Sequence, residues 1–183
     1  MPPILSVSVP AIPGPAGPAG NATTFTGDQF QNPNNADWAV NAAAAAAVDS
    51  INPALIVRRF DDTAIEGVGI PFFVPAGAAS LRFDMAWRAQ TAPGAPQGVV
   101  PRVYTRRTPD NVAVPAWSAG LDLTTLAVPT STLWQYDSQT LTLAALGLAA
   151  GEGCLIEFCR ASAAAGDTLV GDWVLWQLTV AVV

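Results

Sequence analysis

The pattern of apolar and polar positions changes character near residue 54. From there on, short runs rich in β-branched and aromatic residues alternate with turn-forming clusters. Leu55 to Val57, Val68 to Val74, Leu81 to Ala89, Val99 to Arg107, Trp117 to Leu126, Leu133 to Leu143, Cys154 to Arg160 and Trp173 to Val183 read as eight strands. The pieces between them include Pro75-Ala-Gly77, Ala92-Pro-Gly94, Pro109-Asp-Asn111, Gly151-Glu-Gly153 and Gly166-Asp167. Proline presets φ for a turn and glycine tolerates positive φ, so these pieces punctuate rather than continue a strand. Eight strands at roughly regular spacing predict an all-β head over residues 54–183, an antiparallel β-sandwich of jelly-roll type.

Period-two alternation indicates which face each strand buries. Leu81, Phe83, Met85 and Trp87 share one side of their strand, opposite Arg82, Asp84 and Arg88. Cys154, Ile156 and Phe158 oppose Glu157, but Leu155 and Cys159 make that second face mostly apolar. In the last strand, strict alternation puts Val174, Trp176, Leu178, Val180 and Val182 on one face, with Trp173 and Leu175 on the other. A strand apolar on both faces lies either centrally under a cover or at a subunit interface.

Before residue 54 the pattern is different. Ile4-Leu-Ser-Val-Ser-Val9 is one short strand closed by Pro10, and a lone strand is stable only when added to a sheet or laid on another subunit. Ile4, Leu5, Val7 and Val9 are therefore candidate docking residues of an N-terminal anchoring arm, the alternative being a frayed terminus. Gly14, Gly17 and Gly20 follow at a spacing of three in Pro13-Gly-Pro-Ala-Gly-Pro-Ala-Gly20. Such triplets favour polyproline II, and three copies can wind together because only glycine fits at their axis. Residues 1–20 thus read as an arm with a collagen-like trimer junction, against the alternative of a stiff linker. Residues 21–53 read as a connector, irregular over Asn21 to Asp37 with Phe25 and Phe30 as anchors. The run Ala42 to Ala47 predicts a short helix within Trp38 to Val48, ended by Pro53.

Composition adds a partner. Apolar residues make up 51% of the chain and charged residues 12%, about half the usual share for soluble domains. Such a sparsely charged surface fits one covered by other subunits, here a homotrimer, or simply an alanine-rich composition. All eight basic residues are arginine and the net charge is −6, which leaves no basic patch for nucleic acid. No apolar run approaches a membrane span. Met1 to Ile12 is broken by prolines and the first basic residue is Arg58, unlike a secretory signal, so a protein made and assembled in a cytoplasm is expected.

The chemistry is sparse. Without histidine there is no Ser-His-Asp or Cys-His pairing, and no glycine-rich loop precedes a lysine to cradle phosphate. Cys154 and Cys159, five apart, fall on opposite strand faces and read as buried free thiols. Asp61-Asp62 and the pair Asp167 and Asp172 could bind calcium or serve a glycosidase, but aspartates at strand junctions are more simply turn formers. The expectation is a non-enzymatic protein with no cofactor. The arginines suit bidentate pairing with carboxylates, either between subunits or across strands of one subunit.

Three stretches carry a resemblance: Phe60-Asp-Asp-Thr-Ala-Ile-Glu-Gly-Val-Gly-Ile-Pro-Phe-Phe-Val-Pro-Ala-Gly77, Val103-Tyr-Thr-Arg-Arg-Thr-Pro-Asp-Asn111, and Gly166-Asp-Thr-Leu-Val-Gly-Asp-Trp173. With the Gly-Pro-Ala run, the chain resembles small structural proteins of tailed bacteriophages that decorate the capsid or form head fibres and fibre tips. That resemblance implies a trimer with a sandwich or jelly-roll head on the virion surface. It also implies the major capsid protein as partner, reached through the arm. The collagen-like stretch is shorter than in long fibres, which favours a compact knob over a shaft. The other function class is a fibre tip that recognises a host surface glycan or protein through aromatics near turns, Trp117 and Trp134.

Overall fold

The computed structural model describes residues 22–33, 37–40, 42–110 and 113–183; Ile4, Leu5, Val7, Val9, Gly14, Gly17 and Gly20 lie outside them. In chain order the strands are β1 (Ala22–Thr26), β2 (Ala45–Val48), β3 (Ile56–Phe60), β4 (Gly67–Phe73), β5 (Ser80–Ala89), β6 (Gln97–Val99) and β7 (Pro101–Thr108). They continue with β8 (Leu121–Asp122), β9 (Leu126–Val128), β10 (Gln135–Thr142), β11 (Gly153–Arg160) and β12 (Trp173–Val182), with one helical turn, α1 (Leu143–Leu146), after β10.

Two antiparallel sheets face each other. The first runs β10-β5-β12-β3-β2, with β1 also paired to β12; the second runs β4-β11-β7-β8. Counting β3, β4, β5, β7, β8, β10, β11 and β12 as first to eighth, one sheet is ordered 6-3-8-1 and the other 2-7-4-5. That alternation of strands between sheets is the jelly-roll winding, so the expected all-β fold class is what the chain adopts.

The inner faces supply the core. Leu81, Phe83, Met85 and Trp87 of β5 point inward as their alternation requires, toward Val68, Ile70 and Phe72 of β4 and Cys154, Ile156 and Phe158 of β11. Aromatic rings bind the layers at the centre: Trp173 lies 5.0 Å from Phe60, 5.8 Å from Phe158 and 6.3 Å from Trp87, centroid to centroid. Full burial of each such side chain contributes about 2–3 kcal/mol, with roughly 1 kcal/mol more from a favourable ring pair.

Four local expectations are corrected. The alanine run forms β2, not a helix, pairing Ala45 to Arg59 and Val48 to Ile56. Helix propensity is a weak prior, and here the preceding segment is fixed by the buried Arg58 guanidinium, which donates to the carbonyls of Gly27 (2.7 Å), Phe30 (3.0 Å) and Ala44 (3.3 Å). Trp117 to Leu126 is mostly irregular, with only β8 at Leu121–Asp122 and β9 starting at Leu126. The strand expected to reach Leu143 stops at Thr142, whose hydroxyl caps α1 by accepting from the Ala145 N–H.

The fourth correction concerns β12. A register shift between Leu175 and Gln177 leaves Trp176 as an extra residue, a β-bulge that reverses the phase of alternation. Trp173 and Leu175 therefore join the core before the bulge, and Leu178 and Val180 join it after. The bulge lies where β12 exchanges neighbours on one edge, β3 pairing with Trp173 to Leu175 and β1 with Gln177 to Ala181.

Candidate functional site

The outer face of β4-β11-β7 is covered by the chain's own connector. Gly69 leaves the space that Trp38 fills: a Cβ there would lie 2.2 Å from the indole ring. Trp38 in turn packs on Trp117, centroids 5.6 Å apart. The Trp117 indole N–H donates to the Asp37 carbonyl at 2.6 Å, and Arg106 donates to the same oxygen at 3.3 Å. Beneath this cover lies Glu157, fully buried, its Oε2 accepting the N–H groups of Ala39 (2.8 Å) and Val40 (3.2 Å). Burial pushes the Glu157 carboxyl above the usual range, and the two N–H groups offset part of that shift. Trp117, expected as a host-binding aromatic, here holds the connector to the head.

The paired aspartates are structural as well. Arg160 and Asp167 are both almost wholly buried and joined by two parallel contacts, Nη2 to Oδ1 at 2.7 Å and Nε to Oδ2 at 3.1 Å. The same guanidinium donates to the carbonyls of Phe60 (3.3 Å), Gly171 (2.6 Å) and Leu169. Asp62 accepts the Gly171 N–H at 2.7 Å, and Asp61 caps its own turn through Thr63 at 2.6 Å. Asp172 is raised by burial and then by the neighbouring Asp61 and Asp62 carboxylates. Among the described residues no group of three or more His, Cys, Asp or Glu side chains is arranged to hold a metal.

Other pairs lie within the chain: Arg102 with Asp122 joins β7 to β8, Arg107 with Glu152 at 2.6 Å joins β7 to the turn before β11, and Arg82 and Asp84, 2.9 Å apart, are neighbours on one face of β5. The cross-strand and loop-fixing reading of the arginines is the one these contacts fit. Cys154 and Cys159 are buried free thiols, and burial pushes Cys154 up to about 12.

Open grooves mark the surface of the described residues, two of them beside named side chains. One, of about 570 Å³, lies beside the Arg107–Glu152 pair and the exposed Phe73. The other, of about 480 Å³, runs between residues 122–127 and β10, where Gln139 bonds both the N–H and the carbonyl of Thr124.

The remaining aromatic cluster was only half legible in sequence. Trp134 is half-buried at the start of β10, 5.9 Å from Trp176, which the bulge presents on the outer face of the first sheet. The Arg88 guanidinium lies 5.5 Å from the Trp134 ring centroid and pairs with Asp49, the two side chains 1% and 0% exposed. Trp176 was missed because its contribution depends on the bulge.

No family model matches the sequence, and comparison with curated proteins finds no significant relative. Among solved structures, the enzymatically active domain of bacteriophage CBA120 tailspike protein 4 is similar over 89% of this chain at 9% identity and a TM-score of 0.42. This chain spans 19% of that tailspike chain. The C-terminal CBM6 of LamC, a marine laminarinase from Zobellia galactanivorans, is similar over 88% of this chain and 99% of its own, at 11% identity and TM-score 0.42. Caldicellulosiruptor saccharolyticus CBM27-1, solved with mannohexaose, covers 87% of this chain and 96% of its own, at 10% identity and TM-score 0.40. Likeness at this level fixes neither family nor activity.

Proposed function

We propose that this chain is a non-enzymatic structural protein of a tailed-bacteriophage virion. In this reading it is a homotrimer whose jelly-roll head decorates the capsid or forms a short head fibre, and whose arm over residues 1–20 holds it to the major capsid protein. The supporting observation is that the described residues, 22 onward, by themselves form a closed sandwich. The eight jelly-roll strands all lie after residue 55, the connector adds Phe30 and Ala44 to their core, and β1 starts at Ala22, which lies opposite Ala181 near the end of β12. An arm leaving from that rim can engage a second surface while the sandwich stays intact. Three arms on one particle multiply weak contacts into stable attachment. The test is deletion of Met1 to Pro10: the expected result is a folded trimer that no longer co-sediments with capsids, and full retention of capsid binding contradicts the reading.

A second reading, a fibre tip that binds a host surface glycan or protein, is favoured by one observation. Trp134 is partly accessible beside Trp176 on the outer face of the first sheet, whereas the indole N–H of Trp117 is engaged by the Asp37 carbonyl.

A further inference from the structure

We propose that the outer face of β10-β5-β12 is a platform for a neutral glycan, centred on Trp134, Tyr136 and Trp176. This inference rests on the second reading above and gives it a site and a ligand class. Register fixes the layout. Tyr136 lies opposite Ala86, and Ala86 opposite Gln177, so one row across the face runs from an exposed phenol past the buried Ala86 to an amide. Trp134 and Trp176 stand beside that row as a wall, their rings tilted by 57°. The next row is Ser138, Asp84, Thr179 and Thr24, in which the Thr24 and Thr179 hydroxyls meet at 2.8 Å.

Aromatic faces flanked by hydroxyls and amides match a pyranose, whose C–H face is apolar and whose rim is all donor and acceptor. Tyr136 is 56% exposed and Leu133 71%, so the platform opens to solvent. Charge selects a neutral sugar over an acidic one. Both arginines beside the platform are already paired, Arg82 with Asp84 and Arg88 with Asp49, and the chain carries −6 overall.

The test titrates the full chain with neutral β-linked hexasaccharides of glucose, galactose and N-acetylglucosamine, read by tryptophan fluorescence and calorimetry. Expected is saturable binding to at least one, weakened roughly fivefold or more by Tyr136→Ala and by Gln177→Ala, with Phe73→Ser on the other sheet unchanged. Thermal unfolding of each variant confirms that the surface changes leave the fold intact. Binding unaffected by both platform variants overturns the site while leaving a glycan receptor role standing. No binding to any of the three sugars overturns the ligand class; adsorption to intact host cells, measured in parallel, then decides whether the receptor reading falls with it. A change of oligomeric state in Tyr136→Ala also overturns the proposal, by making the face a subunit contact.

Discussion

Replacing Arg160 with methionine tests whether the aspartates of the 166–172 loop are structural. In the native chain the guanidinium neutralises Asp167, which is 2% exposed, and satisfies the carbonyls of Phe60, Leu169 and Gly171. The substitution leaves a buried carboxylate whose only remaining partner among the described residues is the Val100 N–H at 3.1 Å. Breaking a buried pair by removing one member costs about 3–5 kcal/mol, so about 4 kcal/mol is expected, equivalent for a chain of this size to a Tm lower by roughly 8–16 °C. Asp167→Asn is expected to cost about 3 kcal/mol for the converse reason, an unneutralised guanidinium. Combining Arg160→Met with Asp167→Leu removes the charge penalty but leaves the carbonyls without donors, so it recovers only part of the loss. Arg82→Met serves as the control, because that pair is 25% and 33% exposed and such pairs contribute under about 1 kcal/mol. The assay is urea unfolding followed by fluorescence and circular dichroism at fixed protein concentration. A loss in Arg160→Met within 1 kcal/mol of that in Arg82→Met would refute the reasoning and return Asp167 to the pool of candidate ligands.

Two further outcomes follow from the covered face of the second sheet. Gly69→Ala places a methyl group inside the Trp38 ring contact and is expected to cost about 1–3 kcal/mol in thermal unfolding; adding Trp38→Ala should abolish the extra cost of the methyl, and a cost that persists would show the space is not shared. Glu157, raised by burial, contributes most to stability when protonated, below the ordinary glutamate pKa of about 4.3, and loses that contribution as pH rises through its folded pKa. Glu157→Gln removes this dependence, so the stability difference between variant and parent should shift in the variant's favour from about pH 4 upward; a difference constant over pH 3 to 8 would contradict the assignment.

The legible part of the fold was the part that local pattern determines. Leu81, Phe83, Met85 and Trp87 gave their core face by alternation alone, and eight strand runs correspond in order to the strands of the jelly roll. What escaped was set by contacts distant in sequence. Ala45 to Val48 is a strand because β3 offers it an edge, and Arg58 draws the preceding carbonyls inward. The faces of β12 invert at Trp176 because two different strands share its edge, which no single-strand periodicity can register. For the same reason Trp117 and Trp134 looked alike in sequence. One is held by the Asp37 carbonyl and Trp38, and the other meets Trp176 and Arg88 on the opposite sheet.

The most direct test of the virion role is to locate the protein on assembled particles by gold-labelled antibody against the head and electron microscopy. A capsid decoration or head-fibre protein labels the capsid surface, and deletion of Met1 to Pro10 removes the label. Gold confined to the tail tip, or particles that carry none of the protein, would contradict the assignment.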